Sequence, residues 1–162
     1  MSKYYLINLA GGTIEEEKMR EIPHPYLELG LHITLKTTQA FALLGLGAVG
    51  PILGLTQGKD KKEMAMKCCQ MGAVGGALFG PVLSMLTMKN MSAEGAYDRA
   101  YRLRYNANQV NVDRVSLLGA AGATAAASYM FTPDQKMAPK ACAVGLAGGV
   151  VLGSLYNMLF RR

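Results

Sequence analysis

The chain has 162 residues, about the length of one domain, and a formal net charge of +6. Hydrophobic residues make up 51% of it and glycine occurs 19 times, whereas tryptophan is missing. Three cysteines and two histidines are too few for a disulfide framework or a metal cluster, so Cys68, Cys69 and Cys142 are predicted to be packing residues.

The N-terminal segment, residues 1–36, is polar and predicts one short helix. Thr13 and Glu16 have the spacing of a capping box, so a helix is expected to begin directly after Thr13 and to end before Pro23. No apolar stretch of about 7–15 residues follows a basic start, and a run of three glutamates is atypical of a cleaved mitochondrial presequence. Any organelle-targeting signal is therefore expected to be internal and uncleaved.

Four regions without a charged side chain follow, each roughly 20 residues long. An α-helix of that length crosses the ~30 Å hydrocarbon core of a bilayer. A soluble bundle with buried glycine-rich helices is the alternative, but soluble helices normally keep a polar stripe. The chain is thus predicted to be an all-α membrane protein with four transmembrane helices, at residues 37–58, 68–88, 115–133 and 141–160.

These helices are expected to form two transmembrane hairpins, residues 37–88 and 115–162, on either side of a polar segment, residues 89–114. Four crossings place both termini on one side, together with eleven of the 17 Lys and Arg residues, and leave six on the other. Basic residues accumulate on the cytosol-like face. Both termini are therefore assigned to that face, which is the matrix if the membrane is the mitochondrial inner membrane.

Small residues recur every four positions within the predicted spans. This spacing leaves one flat helix face, and close contact of such faces is a main source of helix association in lipid. Pro51 and Pro81 each follow a glycine and are expected to kink their helices, and Thr132-Pro133 is expected to cap a turn. The residues predicted to pack helix on helix are Gly50, Gly54, Gly72, Gly76, Gly80, Gly119, Gly145, Gly149 and Gly153.

The polar segment predicts an amphipathic helix at the membrane surface. Ser92 is expected to cap it, Arg102 follows an acidic residue at the spacing of a helical ion pair, and tyrosines recur every fourth position from Tyr97. The helix is expected to lie at the headgroup level, where Arg99, Arg102 and Arg104 meet phosphates. The alternative is a solvated connecting helix whose tyrosines pack on the bundle. Nucleic acid is disfavoured as a partner, because the segment lies between two spans.

Residues 63–86 and 136–159 are similar, with ten of 24 positions identical, including four glycines, a lysine and a cysteine. A weaker match aligns residues 41–45 with 115–119. The simplest interpretation is a duplicated two-helix hairpin whose copies have the same orientation. A chance match between helices rich in glycine and alanine is the alternative.

No side chains in the four predicted spans suggest catalysis. The spans contain no Asp, Glu, Lys, Arg or His, which pumps, ion-coupled transporters and charge-selective pores place within the membrane. The glycine runs lie inside apolar helices rather than after strands, which argues against a nucleotide loop. We therefore expect no enzyme activity, no catalytic residue, no metal, no cofactor and no small-molecule substrate. A bound phospholipid such as cardiolipin is compatible with the sequence.

A basic, glycine-rich chain of this size with four spans resembles small multispan proteins of the mitochondrial inner membrane. One such group is Tim17/Tim22-like and includes translocase channels and an accessory subunit of respiratory complex I. Its signature has Arg four residues before an Asp, where this chain has Gln109 before Asp113. The other comprises supernumerary complex I subunits of the fungal NUXM type, to which "PHPYLELGL" and "RLRYNANQVNVDRVSLLGAAG" are similar. No functional residue is carried over from either group.

The resemblance implies a non-catalytic accessory subunit of a mitochondrial respiratory-chain assembly, with complex I as the first candidate. Its expected partners are other membrane subunits and phospholipids. A Tim17/Tim22-like pore or protein-translocase component is the second hypothesis, and an enzyme of lipid metabolism is the third. A polar-lined gap between kinked helices would favour a pore, whereas close packing of all the glycine faces would count against it.

Overall fold

The computed structural model describes residues 3–130 and 137–161, which form eight α-helices. They are α1 (Lys3–Ala10), α2 (Glu16–Arg20), α3 (Pro25–Leu44), α4 (Gly50–Thr56), α5 (Lys61–Met88), α6 (Ala93–Tyr105), α7 (Ala107–Met130) and α8 (Met137–Phe160). A π-helical turn, Gly45–Val49, joins α3 to α4. The predicted all-α class is confirmed for these residues. The predicted cap at Thr132-Pro133 lies outside them, as do Lys136 and Arg162 of the charge count.

Within the described residues, three helical stretches are long and apolar enough to cross a membrane: Pro25–Thr56, Lys61–Met88 and Met137–Phe160. The first has 32 residues because α3 begins at Pro25, where a missing N–H costs nothing at a helix N-terminus. The predicted third span lies mostly in α7, which has 24 residues but is not among these three. The chain therefore has the helices of a membrane protein.

Large apolar side chains lie on the surface and small ones lie in the interior, which is the opposite of a soluble protein. Leu78 is 73% exposed, Met85 72% and Phe160 71%. A large exposed apolar surface promotes aggregation in water but is at home in hydrocarbon. The central core is built mainly of small residues, namely Ala42, Cys69, Ala120, Ala143, Leu146 and Ala147. This arrangement supports a position of the helices in lipid.

The helices α3 and α5 run antiparallel and touch along a line of glycines on α5. A Cβ atom added at Gly76 would lie 2.6 Å from the Cα atom of Thr38, and one at Gly80 would lie 2.7 Å from the Cα atom of Thr34. Gly72 meets the α3 backbone at least as closely. Because the opposing atoms belong to the main chain, these positions admit no side chain without separating the helices.

The helices α7 and α8 meet in the same way. Gly119 and Gly145 lie backbone to backbone, and a Cβ atom at Gly149 would lie 2.5 Å from the Cα atom of Ser116. A Cβ atom at Gly153 would lie 3.0 Å from an α-carbon of α7. The glycine faces of α5 and α8 are thus occupied by the preceding helix of the same hairpin.

The π-helical turn keeps the glycines of the first long helix directed at α5. Gly45 and Gly50 are five residues apart, yet both lie against the α5 backbone, and Gly54 lies there as well. An α-helix returns to the same face after three or four residues, so the wider turn accommodates one extra residue. The π-helical turn ends at Val49, two residues before Pro51, where a kink was expected. At Pro81, in contrast, α5 continues as an α-helix.

The N-terminal segment differs from the prediction. Helix α1 has no predicted counterpart, and α2 begins only at Glu16, without a side-chain hydrogen bond at its N-cap Glu15. The predicted capping box of Thr13 and Glu16 is therefore wrong. The carboxylate of Glu16 instead accepts a hydrogen bond of 2.7 Å from Arg20, which lies one helical turn further on.

Alanine substitutions at neighbouring glycines test this packing. We expect Gly149→Ala to lower the free energy of unfolding by about 1–3 kcal/mol, since its methyl group must push against main-chain atoms. Gly148→Ala is the matched control, because no atom lies within 4 Å of its Cβ position. Denaturant unfolding in a neutral detergent, followed by circular dichroism, measures the difference. Equal effects of the two substitutions would contradict the close contact of α7 with α8.

Candidate functional site

A stripe of polar side chains marks the N-terminal half of the long helical stretch Pro25–Thr56. Glu28, His32, Lys36 and Gln39 are spaced by four, four and three residues, which places them on one helix face. The 32-residue helical stretch that contains them is ~48 Å long, about 18 Å more than a hydrocarbon core requires. The stripe therefore lies towards the end of the long helix that can extend beyond the hydrocarbon core.

Glu28 forms a fully buried ion pair with Arg104 of α6. The Arg104 Nε atom donates to Glu28 Oε2 at 2.9 Å and Nη2 donates to Oε1 at 2.5 Å, with both side chains 0% exposed. Nη1 also donates to the main-chain carbonyls of Met19 at 2.9 Å and Glu21 at 3.1 Å. One guanidinium thus joins α3 and α6 to the end of α2.

Asp113 of α7 is the centre of a second buried cluster. Its carboxylate pairs with the ammonium of Lys36 and accepts a hydrogen bond from Gln39 Nε2 at 3.2 Å. Gln39 also donates to the Ser116 hydroxyl at 2.7 Å. The His32 Nδ1 atom lies 3.4 Å from Asp113 Oδ2 but has no hydrogen-bond partner in the described part of the chain. This cluster ties α3, in the first hairpin, to α7, in the second.

Tyr5 of α1 lies close to both clusters. Burial, reinforced by the negative charges of Asp113 and Glu28, raises the pKa of this phenol to about 12. Tyr5 therefore stays neutral at physiological pH and adds no third negative charge to the site. Helix α1 covers the charged groups with a side chain that is 7% exposed.

The chemistry of the site is that of an ionic clamp. Each buried carboxylate is held by a cation from another helix. Among the described residues, no group of three or more His, Cys, Asp or Glu side chains is placed to hold a metal ion. The arrangement fixes the relative positions of α2, α3, α6 and α7.

The three arginines predicted to meet lipid headgroups lie in different environments. Arg99 and Arg102 are exposed on α6, and Arg102 forms the predicted ion pair with Asp98, at 2.9 Å. The prediction for Arg104 is wrong, because its guanidinium is buried against Glu28 and cannot reach a phosphate. The bidentate contact with the carboxylate and the bonds to two carbonyls are charge-assisted hydrogen bonds, which are stronger than those between neutral groups.

Other predictions for α6 are confirmed. The Ser92 side chain accepts a hydrogen bond from the Gly95 amide at 3.1 Å and so caps the helix. The rings of Tyr97, Tyr101 and Tyr105 form a row, with centroid separations of 6.4 and 4.5 Å. The Tyr97 hydroxyl donates to the Arg20 carbonyl at 2.8 Å, so this tyrosine packs on the rest of the protein as the alternative interpretation has it.

The clamp went unrecognised in the sequence because its members come from separate helices, α3, α6 and α7. The signal available was the four-four-three spacing from Glu28 to Gln39. The partners Arg104 and Asp113 lie over 70 residues away, and no local pattern connects them to α3.

A family model described as "Protein of unknown function (DUF1757)" matches residues 5–160. Since the match spans nearly the whole chain, the chain belongs to this family. No curated protein matches it. The match includes both hairpins and all the charged groups of the clamp.

Removing one partner of the Glu28–Arg104 pair tests the clamp. We expect Arg104→Met to lower the free energy of unfolding by about 3–5 kcal/mol, because Glu28 is left buried without a counter-charge. The double variant Glu28→Met/Arg104→Met is expected to be less destabilised than either single variant. Arg102→Met is the control, with an expected effect below about 1 kcal/mol for an exposed pair. Additive effects in the double variant, measured by denaturant unfolding, would contradict the pairing.

Proposed function

We propose that this DUF1757 protein is a non-catalytic, four-span subunit of a larger membrane assembly. The observation that carries the proposal is the combination of a small-residue interior with a large outward-facing apolar surface. Glycine faces and ionic clamp are both used inside the chain, and they leave the outer surface for lipid and for neighbouring subunits. By its resemblance and charge pattern, we propose the mitochondrial inner membrane, with respiratory complex I as the first candidate.

The proposal includes α7 as a fourth membrane span. Helices α7 and α8 have 24 residues each and run antiparallel along their whole length. Contacts extend from Gly119 with Gly145 to the hydrogen bond of 2.9 Å between Asn111 and Asn157 near the end of α8. Because α7 packs so closely against α8, we propose that both helices cross the membrane together. Leu118, which is 65% exposed, then faces hydrocarbon.

We also propose that the two hairpins arose by duplication. The glycines of α5 and α8 meet equivalent main-chain positions of the preceding helix. Residues 72, 76 and 80 lie against 41, 38 and 34, and residues 145, 149 and 153 lie against 119, 116 and 112. Each pair of equivalent positions in α3 and α7 is thus separated by 78 residues, as from 41 to 119. The weaker sequence match, at 74 residues, differs from this spacing by about one helical turn.

A translocase or pore component is the alternative, and the geometry favours it less. The glycine faces pack closely within each hairpin, so they do not line a channel. The groove beside the π-helical turn, about 470 Å³, is lined mainly by apolar side chains such as Phe41, Leu44, Leu53 and Met71. An apolar groove suits a lipid chain or a partner helix better than a hydrated path.

The positions of the two termini test the fourth span. If α7 crosses the membrane, tags at the N- and C-termini lie on the same side; with only three spans they lie on opposite sides. We expect protease to cleave both tags, or neither, in sealed vesicles. A tag inserted between Gln57 and Asp60, in the turn after α4, is the control and is expected to behave oppositely. Cleavage of one terminal tag alone would contradict four crossings.

Native gel electrophoresis in a mild detergent tests membership of an assembly. We expect the chain to migrate with a complex many times its own mass of 17.3 kDa, and the band to stain for NADH oxidation if the complex is complex I. A harsh detergent that separates subunits is the control and is expected to release the chain. Migration as a monomer in the mild detergent would overturn the proposal.

A further inference from the structure

A polar cleft of about 260 Å³ lies at the end of the α7–α8 hairpin, beside α1. Arg114, two turns into α7, and Arg161, directly after α8, line it, with Asn8, Asn111 and Tyr105 among its other walls. A cavity of this volume holds several water molecules and has room for a phosphate group. Arg104 also lines the cleft, but its guanidinium is turned to Glu28 in the clamp, and its carbonyl accepts a hydrogen bond from Asn8.

The two arginines bring positive charge that the described residues do not neutralise. Arg114 donates to the main-chain carbonyls of Leu9 at 3.2 Å and Asn8 at 2.7 Å, and Arg161 donates to the carbonyl of Ala107 at 3.0 Å. All of these acceptors are uncharged. Neither guanidinium forms an ion pair within residues 3–130 and 137–161, unlike Arg104 and Lys36, which pair with buried carboxylates.

The main-chain contacts hold the guanidinium groups in place without using all their donors. A guanidinium has five N–H groups. Arg114 uses two N–H-bearing nitrogens on the end of α1, and Arg161 uses one on the start of α7. Planar N–H donors fixed in this way are well suited to the oxygens of a phosphate.

The surroundings of the cleft are amphipathic. Arg161 directly follows Phe160, the last residue of a helix that is apolar enough to cross a membrane. Phe160 is 71% exposed, and Leu6 of α1 is 43% exposed. A polar cavity at the end of an apolar helix lies where lipid headgroups lie.

We propose that this cleft binds the phosphate of an anionic compound, between Arg114 and Arg161, and that an anionic phospholipid supplies it. The inference rests on the membrane position of α8 in the proposed function, but not on the assembly that the chain joins. It assigns headgroup binding to the α7–α8 end rather than to the exposed arginines of α6.

Native mass spectrometry of the purified full chain in a neutral detergent tests the site. Three probes are compared: phosphatidylglycerol, phosphatidylcholine and inorganic phosphate. We expect one phosphatidylglycerol to bind at least about tenfold more tightly than phosphatidylcholine. Arg161→Gln is expected to weaken phosphatidylglycerol binding about tenfold, the loss of one charge-assisted contact. Arg99→Gln removes the same charge from α6 and is expected to leave binding within about twofold.

The outcomes distinguish the sources of the phosphate. Binding of phosphatidylglycerol that depends on Arg161, without binding of inorganic phosphate, supports a lipid site. Binding of inorganic phosphate with the same dependence supports the phosphate site and assigns it to a soluble compound. Equal loss of binding in Arg161→Gln and Arg99→Gln, or no preference over phosphatidylcholine, overturns the site. Because the isolated chain is measured, none of these results depends on the native-gel experiment.

Discussion

Lipid gives two helices no hydrophobic reason to associate, so close packing and interhelical hydrogen bonds must hold them together. Glycines make this approach possible along both hairpins, at Gly76 against Thr38 and at Gly149 against Ser116. The packing between hairpins follows from it, since α8 can meet α3 and α5 through alanines once α7 is pressed against its other face. The ionic clamp then acts towards one end of the bundle. Dispersion forces thus hold the helices within the membrane, and charges align the ends.

Much of the fold follows from the sequence, because its signals are local. Four-residue glycine spacing, charge-free regions and the cap at Ser92 each depend on residues within one or two turns. The prediction was poorer at the borders. The first long helix begins at Pro25 rather than near residue 37. Polar side chains on its first turns can be accommodated because they form ion pairs and hydrogen bonds with residues far away in the chain. The capping box at Thr13 did not form, and the carboxylate of Glu16 pairs with Arg20 instead.

The site was less predictable than the fold. Arg104 follows two exposed arginines, Arg99 and Arg102, in the sequence. It lies two residues after Arg102, which turns its side chain about 200° around α6 and towards Glu28. Periodicity along one helix shows which side chains share a face but not which helix covers that face. The contacts of Asp113 could not be predicted for the same reason, because the packing of the two hairpins brings Lys36 and Gln39 to it. Such long-range pairs require the assembled bundle.

The π-helical turn between Gly45 and Val49 changes how the two halves of the chain correspond. Before this turn, equivalent residues of α3 and α7 contact equivalent glycines of α5 and α8. Five consecutive residues of an ordinary α-helix would rotate the side-chain direction about 140° away from its start. The π-helical turn accommodates the extra residue, so Gly50 faces the α5 backbone as Gly45 does. On the proposed duplication, an alignment of α3 and α4 with α7 therefore needs a one-residue gap after Gly45, and an alignment without gaps loses the correspondence over α4.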